Sequence, residues 1–253
     1  MDDPPSPRRN LRGQVLRVLT FTQNSSALVF SVFLGVHLAS PLSAAIGGSS
    51  LADKTMMIAR DYYLPYEPLL VFAPIAVHLS SSLLRRIIIS SQTRRLPPLT
   101  PHILTGYALP FFLIPHILSH RIHPSSPHPP ISRLSPSELD FEFVGWSLRK
   151  WPGWSVISYG GLVLIACWHA GVGMMKIVSW LRGPRVTGGT DPAPRRKISG
   201  GRKLGLRGIL GVVLGVVGIG LVRIARDTGK VSRIMETRYE AVYASLPWGS
   251  LLR

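Results

Sequence analysis

Apolar stretches of about 20 residues, separated by short segments rich in Arg, Pro, Ser and Gly, set the pattern of the chain. A helix of that length can cross a bilayer, because all its backbone hydrogen bonds are satisfied within the segment. Five such runs predict an all-α membrane protein, a bundle of five transmembrane helices at about 27–46, 67–89, 101–119, 154–180 and 204–225. Gly47 and Gly48 end the first run. Arg85 and Arg86 lie near the end of the second, where long side chains reach the headgroups. Pro110 and Pro115 fall in the third, and a membrane helix tolerates them better than a soluble one does. Trp154 and Trp180 bracket the fourth, and the rise between them is about 39 Å, the separation of the two interfacial aromatic belts. The fifth is rich in glycine, and Gly211 with Gly215 has the GxxxG spacing of close helix packing. Residues 1–26 are then an N-terminal tail, 27–225 the transmembrane domain and 226–253 a C-terminal tail. In that last tail Val231, Ile234, Met235 and Val242 suggest an apolar helix face interrupted by Arg238, and Trp248, Leu251 and Leu252 a surface anchor.

Charge adds direction to this picture. Only 16% of the 253 residues are charged, yet the formal net charge is +17. A nucleic-acid-binding domain of such basicity is normally rich in charge and polar, so the composition favours a bilayer and no nucleic-acid partner. Five crossings place the termini on opposite sides. The side holding the N-terminus and the second and fourth loops carries +14, and the other carries +3. The positive-inside tendency then puts the N-terminus in the cytosol. The basic fourth loop (RGPRVTGGTDPAPRRKISGGRK) suits anionic lipid headgroups, with no interleaved aromatics to stack on bases. The Pro, Ser and His run of the third loop (HRIHPSSPHPPISRLSPSE) predicts disorder. No cleavable secretory signal or matrix presequence is expected, since the first apolar run is long and the chain opens with Asp2 and Asp3. Cys167 is the only cysteine, which excludes an intrachain disulfide and a Cys-held metal cluster.

Four histidines fall inside the predicted spans: His37, His78, His116 and His169. Ionisable groups at membrane depth are expensive and raise the question of function. With alternating helix directions His37, His78 and His169 lie near mid-membrane, His116 nearer the non-cytosolic end. Facing imidazoles on two helices are a common way to hold haem b, and all four are candidate ligands, with His78 and His169 the leading pair. Gly35, Gly171 and Gly173 leave room for a flat macrocycle, and Lys176, Arg85 or Arg86 are candidates to meet its propionates. The alternative is a hydrogen bond from each ring to a Ser, Thr or carbonyl, with Ser31, Ser40, Ser80 to Ser82 and Thr105 available. His102, His120, His123 and His128 read as solvated. No nucleophile elbow, phosphate loop, HExxH or dinucleotide fingerprint occurs, and no carboxylate pair lies at membrane depth, so no enzyme activity is expected. A small-molecule transporter is a third reading.

The segments FLGVHLASP, FAPIAVHLSS, LIPHILSHR and CWHAGVGMMK, followed by a basic loop and a glycine-rich last helix, give the chain a likeness to a known family. Over about residues 27–225 it resembles the fungal mitochondrial outer-membrane adapters named for complementing loss of a mitochondrial morphology protein. The histidine-bearing spans are also similar to the haem b membrane anchors of succinate dehydrogenase. The family resemblance implies a mitochondrial outer-membrane location, a part in lipid homeostasis, and recruitment of a bridge-like, chorein-class lipid-transfer protein to contact sites through a PxP motif in the cytosolic N-terminal tail. The matching element here is Pro5, Ser6, Pro7, whose prolines favour the extended shape that strand addition or a groove selects. The apolar residues expected before those prolines are absent, and PxP recurs at Pro127, Pro129 and at Pro192, Pro194.

Overall fold

A computed structural model of the protein describes residues 7–183, 200–247 and 249–252. The described residues are helical or irregular and contain no strand. Seven α-helices follow in order: α1 (Pro7–Tyr63), α2 (Ala73–Thr93), α3 (Pro101–Ile117), α4 (Phe141–Lys150), α5 (Pro152–Leu181), α6 (Gly200–Asp227) and α7 (Arg233–Ala244). Five helical stretches among them are long and apolar enough to cross a membrane: Leu11–Tyr66, Pro68–Thr93, Pro101–Ser125, Pro152–Leu181 and Arg207–Asp227. The chain divides into two compact units, one of Met1–His37 with Ala59–Thr100, the other of Leu38–Ile58 with Pro101–Arg253.

In the first unit the beginning of α1 and the stretch from Ala59 through α2 run antiparallel. Tyr63 meets Phe33 edge-on at 5.1 Å, and Ser81 meets Thr22 at 3.0 Å. Only a short 3-10 turn (Leu64–Tyr66) and a wide turn (Pro68–Phe72) separate α1 from α2, each opened by a proline that fixes φ without needing an N–H donor. Residues 47–66, expected to be a loop after Gly47 and Gly48 ended the first run, therefore continue as helix to Tyr63.

The second unit explains how that helix can bend. At Gly48 the backbone takes φ 67 and ψ −162, left-handed geometry that a Cβ disfavours. The Asp227 carboxylate occupies the place a Cβ would take. The break exposes backbone groups on both sides, and the last turns of α6 satisfy them. Arg223 Nη1 donates to the carbonyls of Ala45 (2.9 Å) and Ile46 (2.7 Å), while Asp227 Oδ2 accepts from Ser49 N–H (2.9 Å). A cation at a helix C-terminus and an anion at an N-terminus also complement the helix dipoles.

Helices α3 and α5 pack antiparallel through small residues, with Gly161 against Phe112 and Gly106 against His169. Beyond them the chain folds into a cap made of residues 123–150 and 228–247. Asp140 caps α4 by accepting from Glu142 N–H (2.8 Å), and Ser232 caps α7 by accepting from Met235 N–H (3.3 Å). Gly145 lets α4 approach Thr228 and the Ile224 carbonyl so closely that a methyl group would overlap them. One cluster buries Ile131, Leu134, Phe143, Trp146, Tyr239, Val242, Tyr243 and Leu246, and a second buries Ala44, Ala52, Phe141, Val144, Leu148 and Ile224.

This cap overturns two expectations. The Pro- and Ser-rich segment is folded: Ile131 and Leu134 enter the core, worth roughly 1.5–3 kcal/mol each, and Arg133 and Leu134 donate backbone bonds to Ser126 and Pro124. Its few apolar residues suffice because α7 supplies the opposing face. Arg238 does not interrupt that face either. Its Nε donates to the Ile131 carbonyl (2.9 Å) and its Nη1 to Glu138 Oε1 (2.6 Å), clamping the segment down. Val242 is fully buried and Val231 and Met235 pack beside it, but Ile234 is exposed. Trp248 lies outside the described residues.

Candidate functional site

The four intramembrane histidines are held by four different surroundings. His37 stacks on Phe33 (5.4 Å). His78 brings Nδ1 to the Gln23 carbonyl (3.1 Å), so that it lies level with the beginning of α1. His169 brings Nδ1 to the His102 carbonyl (3.1 Å) and the Thr105 hydroxyl (3.4 Å), and its ring lies flat on His102 at 4.3 Å. His116 stacks on His120 at 4.4 Å. The hydrogen-bonding alternative thus describes His78 and His169, with Thr105 the one of the candidate hydroxyls that meets a ring. His102 and His120 are ring partners rather than solvated groups, whereas His128 is exposed.

Within each unit these positions do not fit a bis-histidine haem. In the first, His78 is level with Gln23, which lies about 21 Å from His37 along the helix. The equal depth expected for His37 and His78 fails because helix resumes directly after the break at Gly48, so that Tyr63 already lies level with Phe33 and His78 falls further along. In the second, His169 is level with His102 and Gly106, and His116 lies about 15 Å further along α3. His102 also covers one face of the His169 ring, and a methyl on Gly106 would be 2.9 Å from its Cε1. Two axial ligands must reach one iron, so neither unit offers a facing pair. No group of three or more His, Cys, Asp or Glu suited to a metal occurs among the described residues.

A more organised polar site lies where the cap meets α3 and α5. His120 uses both ring nitrogens, Nδ1 with Ser119 Oγ (2.8 Å) and Nε2 with the Tyr159 hydroxyl (3.3 Å). The Tyr159 hydroxyl also meets Ser147 Oγ (3.2 Å) and the Tyr243 hydroxyl (3.0 Å). Ser155 Oγ donates to the Ser147 carbonyl at 2.8 Å. The network joins four helical segments without a charged group, and burial pushes the Tyr243 phenol well above its usual range, so it stays neutral. Composition offered no signal for it, since its members are 124 positions apart at the extremes and each alone is an ordinary polar residue.

The acidic residues of this unit are taken up by the fold. Asp53 accepts from Phe141 N–H at 2.7 Å, beside the Asp140 cap. Backbone and side-chain hydrogen bonds from Ser135, with the Arg238 guanidinium, hold the Glu138 carboxyl down at about 2. Burial and the neighbouring Asp140 charge push Glu142 up. Glu240 and Glu236 meet Lys150 at 2.8 and 3.2 Å and push its pKa up. Pro5 lies outside the described residues, and Pro7 begins α1.

These features define an all-helical, multi-pass membrane protein with a folded cap on one end of its second unit. Residues 111–223 match the family model described as MDM10-complementing protein 1, transmembrane domain, so this stretch is similar to the transmembrane domain of that family. The match runs from α3 through α6 and takes in His116, His120, Tyr159 and His169. It is narrower than the likeness expected over 27–225, and leaves His37, His78 and the N-terminal prolines outside. No curated protein and no solved structure matches the chain.

Proposed function

We propose that this protein is a non-enzymatic adapter of the mitochondrial outer membrane. It acts in lipid homeostasis by recruiting a chorein-class lipid-transfer protein to membrane contact sites. The observation that carries this reading is the family match over residues 111–223, and the multi-pass helical architecture is consistent with it. Recruitment is assigned to Pro5 and Pro7 on the cytosolic side, where the +14 face also attracts anionic lipid headgroups.

The test is recruitment in cells lacking the endogenous protein. Expression of the wild-type chain is expected to bring a fluorescent chorein-class partner to mitochondria, and the double substitution Pro5→Ala, Pro7→Ala to abolish that without changing the chain's own location. Mitochondrial enrichment of the partner that is the same with the double variant as with wild type would remove the motif assignment. Enrichment that is the same with no chain at all would remove the adapter reading.

A further inference from the structure

A groove of about 530 Å³, open on its outer side, lies on the exposed face of α6 beside Ala45 of α1. Its other lining residues, Gly218, Ile219, Val222, Arg223 and Arg226, follow the three- and four-residue spacing of one helix face, about 12 Å long. One end is apolar. A methyl group on Gly218 would meet nothing within 4 Å, and Ile219 and Val222 stand exposed beside it. The other end is cationic. Arg223 spends Nη1 on the Ala45 and Ile46 carbonyls, which pins the guanidinium and leaves Nε and Nη2 to donate. Arg226, about one turn on, is exposed and has no hydrogen bond or ion pair among the described residues. The adjacent acid, Asp227, turns its Oδ2 to Ser49 N–H and does not line the groove.

The two ends together select the ligand. The apolar span of α6 finishes at Asp227, so both arginines stand at its headgroup end with the apolar part of the groove toward the hydrocarbon. A neutral amphipath would leave two guanidiniums without a counter-anion. A zwitterionic head would bring its ammonium to a lining that holds no acid. Free phosphate would satisfy the guanidiniums and leave the apolar end unused. An anionic phospholipid matches both ends: guanidinium N–H groups take phosphate oxygens in pairs, and an acyl chain covers Ile219 and Val222. Gly215 and Gly211 continue the same face, each with open space beside it. From Arg226 to Gly211 the helix rises about 22 Å, more than the ~15 Å of one leaflet's hydrocarbon, so a chain can lie against α6 over its whole depth.

We propose that this groove binds an anionic phospholipid, its phosphodiester held by Arg223 and Arg226 and one acyl chain lying along Gly218. The inference rests on the membrane architecture and is independent of the adapter reading, so recruitment can fail while lipid binding holds, and the reverse. The experiment uses the full chain in phosphatidylcholine nanodiscs containing phosphatidylglycerol with a diazirine in one acyl chain, mapped by mass spectrometry. Labelling is expected to concentrate on the α6 peptide that carries Gly218, Ile219 and Val222. Unlabelled phosphatidylglycerol should compete, and neither diacylglycerol nor inorganic phosphate should. Arg226→Gln removes a charge that holds nothing else and should cut labelling about fivefold. Gly218→Trp fills the groove and should nearly abolish it. Arg207→Gln, an exposed cation at the other end of α6, should leave it unchanged. Labelling scattered over the lipid-facing helices, or lowered equally by Arg207→Gln and Arg226→Gln, overturns the proposal. Competition by diacylglycerol overturns it because the phosphate is then not read, and competition by inorganic phosphate because the site is then one for a free anion. Should Gly218→Trp not fold, Arg226→Gln and the competitions decide between these outcomes.

Discussion

Arg238 and Glu138 illustrate how much of the cap depends on single side chains. Arg238 is largely buried and reaches the Ile131 carbonyl as well as the Glu138 carboxylate. Hydrogen bonds to charged groups contribute about 1.5–3 kcal/mol, so Arg238→Ala should speed amide hydrogen exchange at Arg133 and Leu134 by roughly 10- to 100-fold. Unchanged exchange there would show that the segment is held by Ile131 and Leu134 alone. Acid should release the same clamp. Glu138 has a folded pKa of about 2 against an ordinary 4.5, so its stabilisation is complete above pH 4.5 and is lost as the pH falls through 2. The carboxylate is partly exposed, which keeps the effect modest. Exchange at Arg133, corrected for its intrinsic pH dependence, should rise across that window in wild type and stay flat in Glu138→Gln. At this scale the sequence marked the right residues for partly wrong reasons: Arg238 read as a defect in an apolar face because its partner lies 100 positions away.

Among the elements, the glycines divide into those that a neighbour requires and those that it does not. Gly145 is required, since α4 lies against Thr228 and the Ile224 carbonyl with no room for a methyl. Gly145→Ala should lower the thermal midpoint in detergent, by the ~1–3 kcal/mol typical of overpacking. Gly211 and Gly215 have open space around them, so alanine at either should leave the isolated chain as stable or slightly more so. Equal losses at Gly145 and Gly211 would contradict this division. Within the second unit, the GxxxG pair that looked like a packing motif therefore has open space beside it among the described residues, whereas the effective close approaches use isolated glycines with no spacing to recognise. Helix existence was legible from apolar runs of bilayer length. The continuation of α1 through residues 49–63 was not, because that stretch is polar and its helical state depends on α6 capping the break at Gly48.

For the molecule as a whole, the placement of the histidines narrows any bis-histidine site. His37 and His78 do not face each other within the first unit, nor do His116 and His169 within the second, so neither pair should support a sharp haem α band in the reduced-minus-oxidised spectrum. A band lost on both His37→Ala and His78→Ala, or on both His116→Ala and His169→Ala, would overturn that register. In the second unit the described acidic residues are engaged in caps, clamps and ion pairs, so the fold itself takes them up. The sequence by itself determined the class, since a run of 20 apolar residues has one stable way to bury its backbone in a bilayer, and its motifs pointed to the family found over residues 111–223. Only tertiary structure decided the register of the histidines, the folding of the third loop and the polar network around Tyr159. Those depend on which distant side chains meet, and such pairings have no local period for a sequence to display.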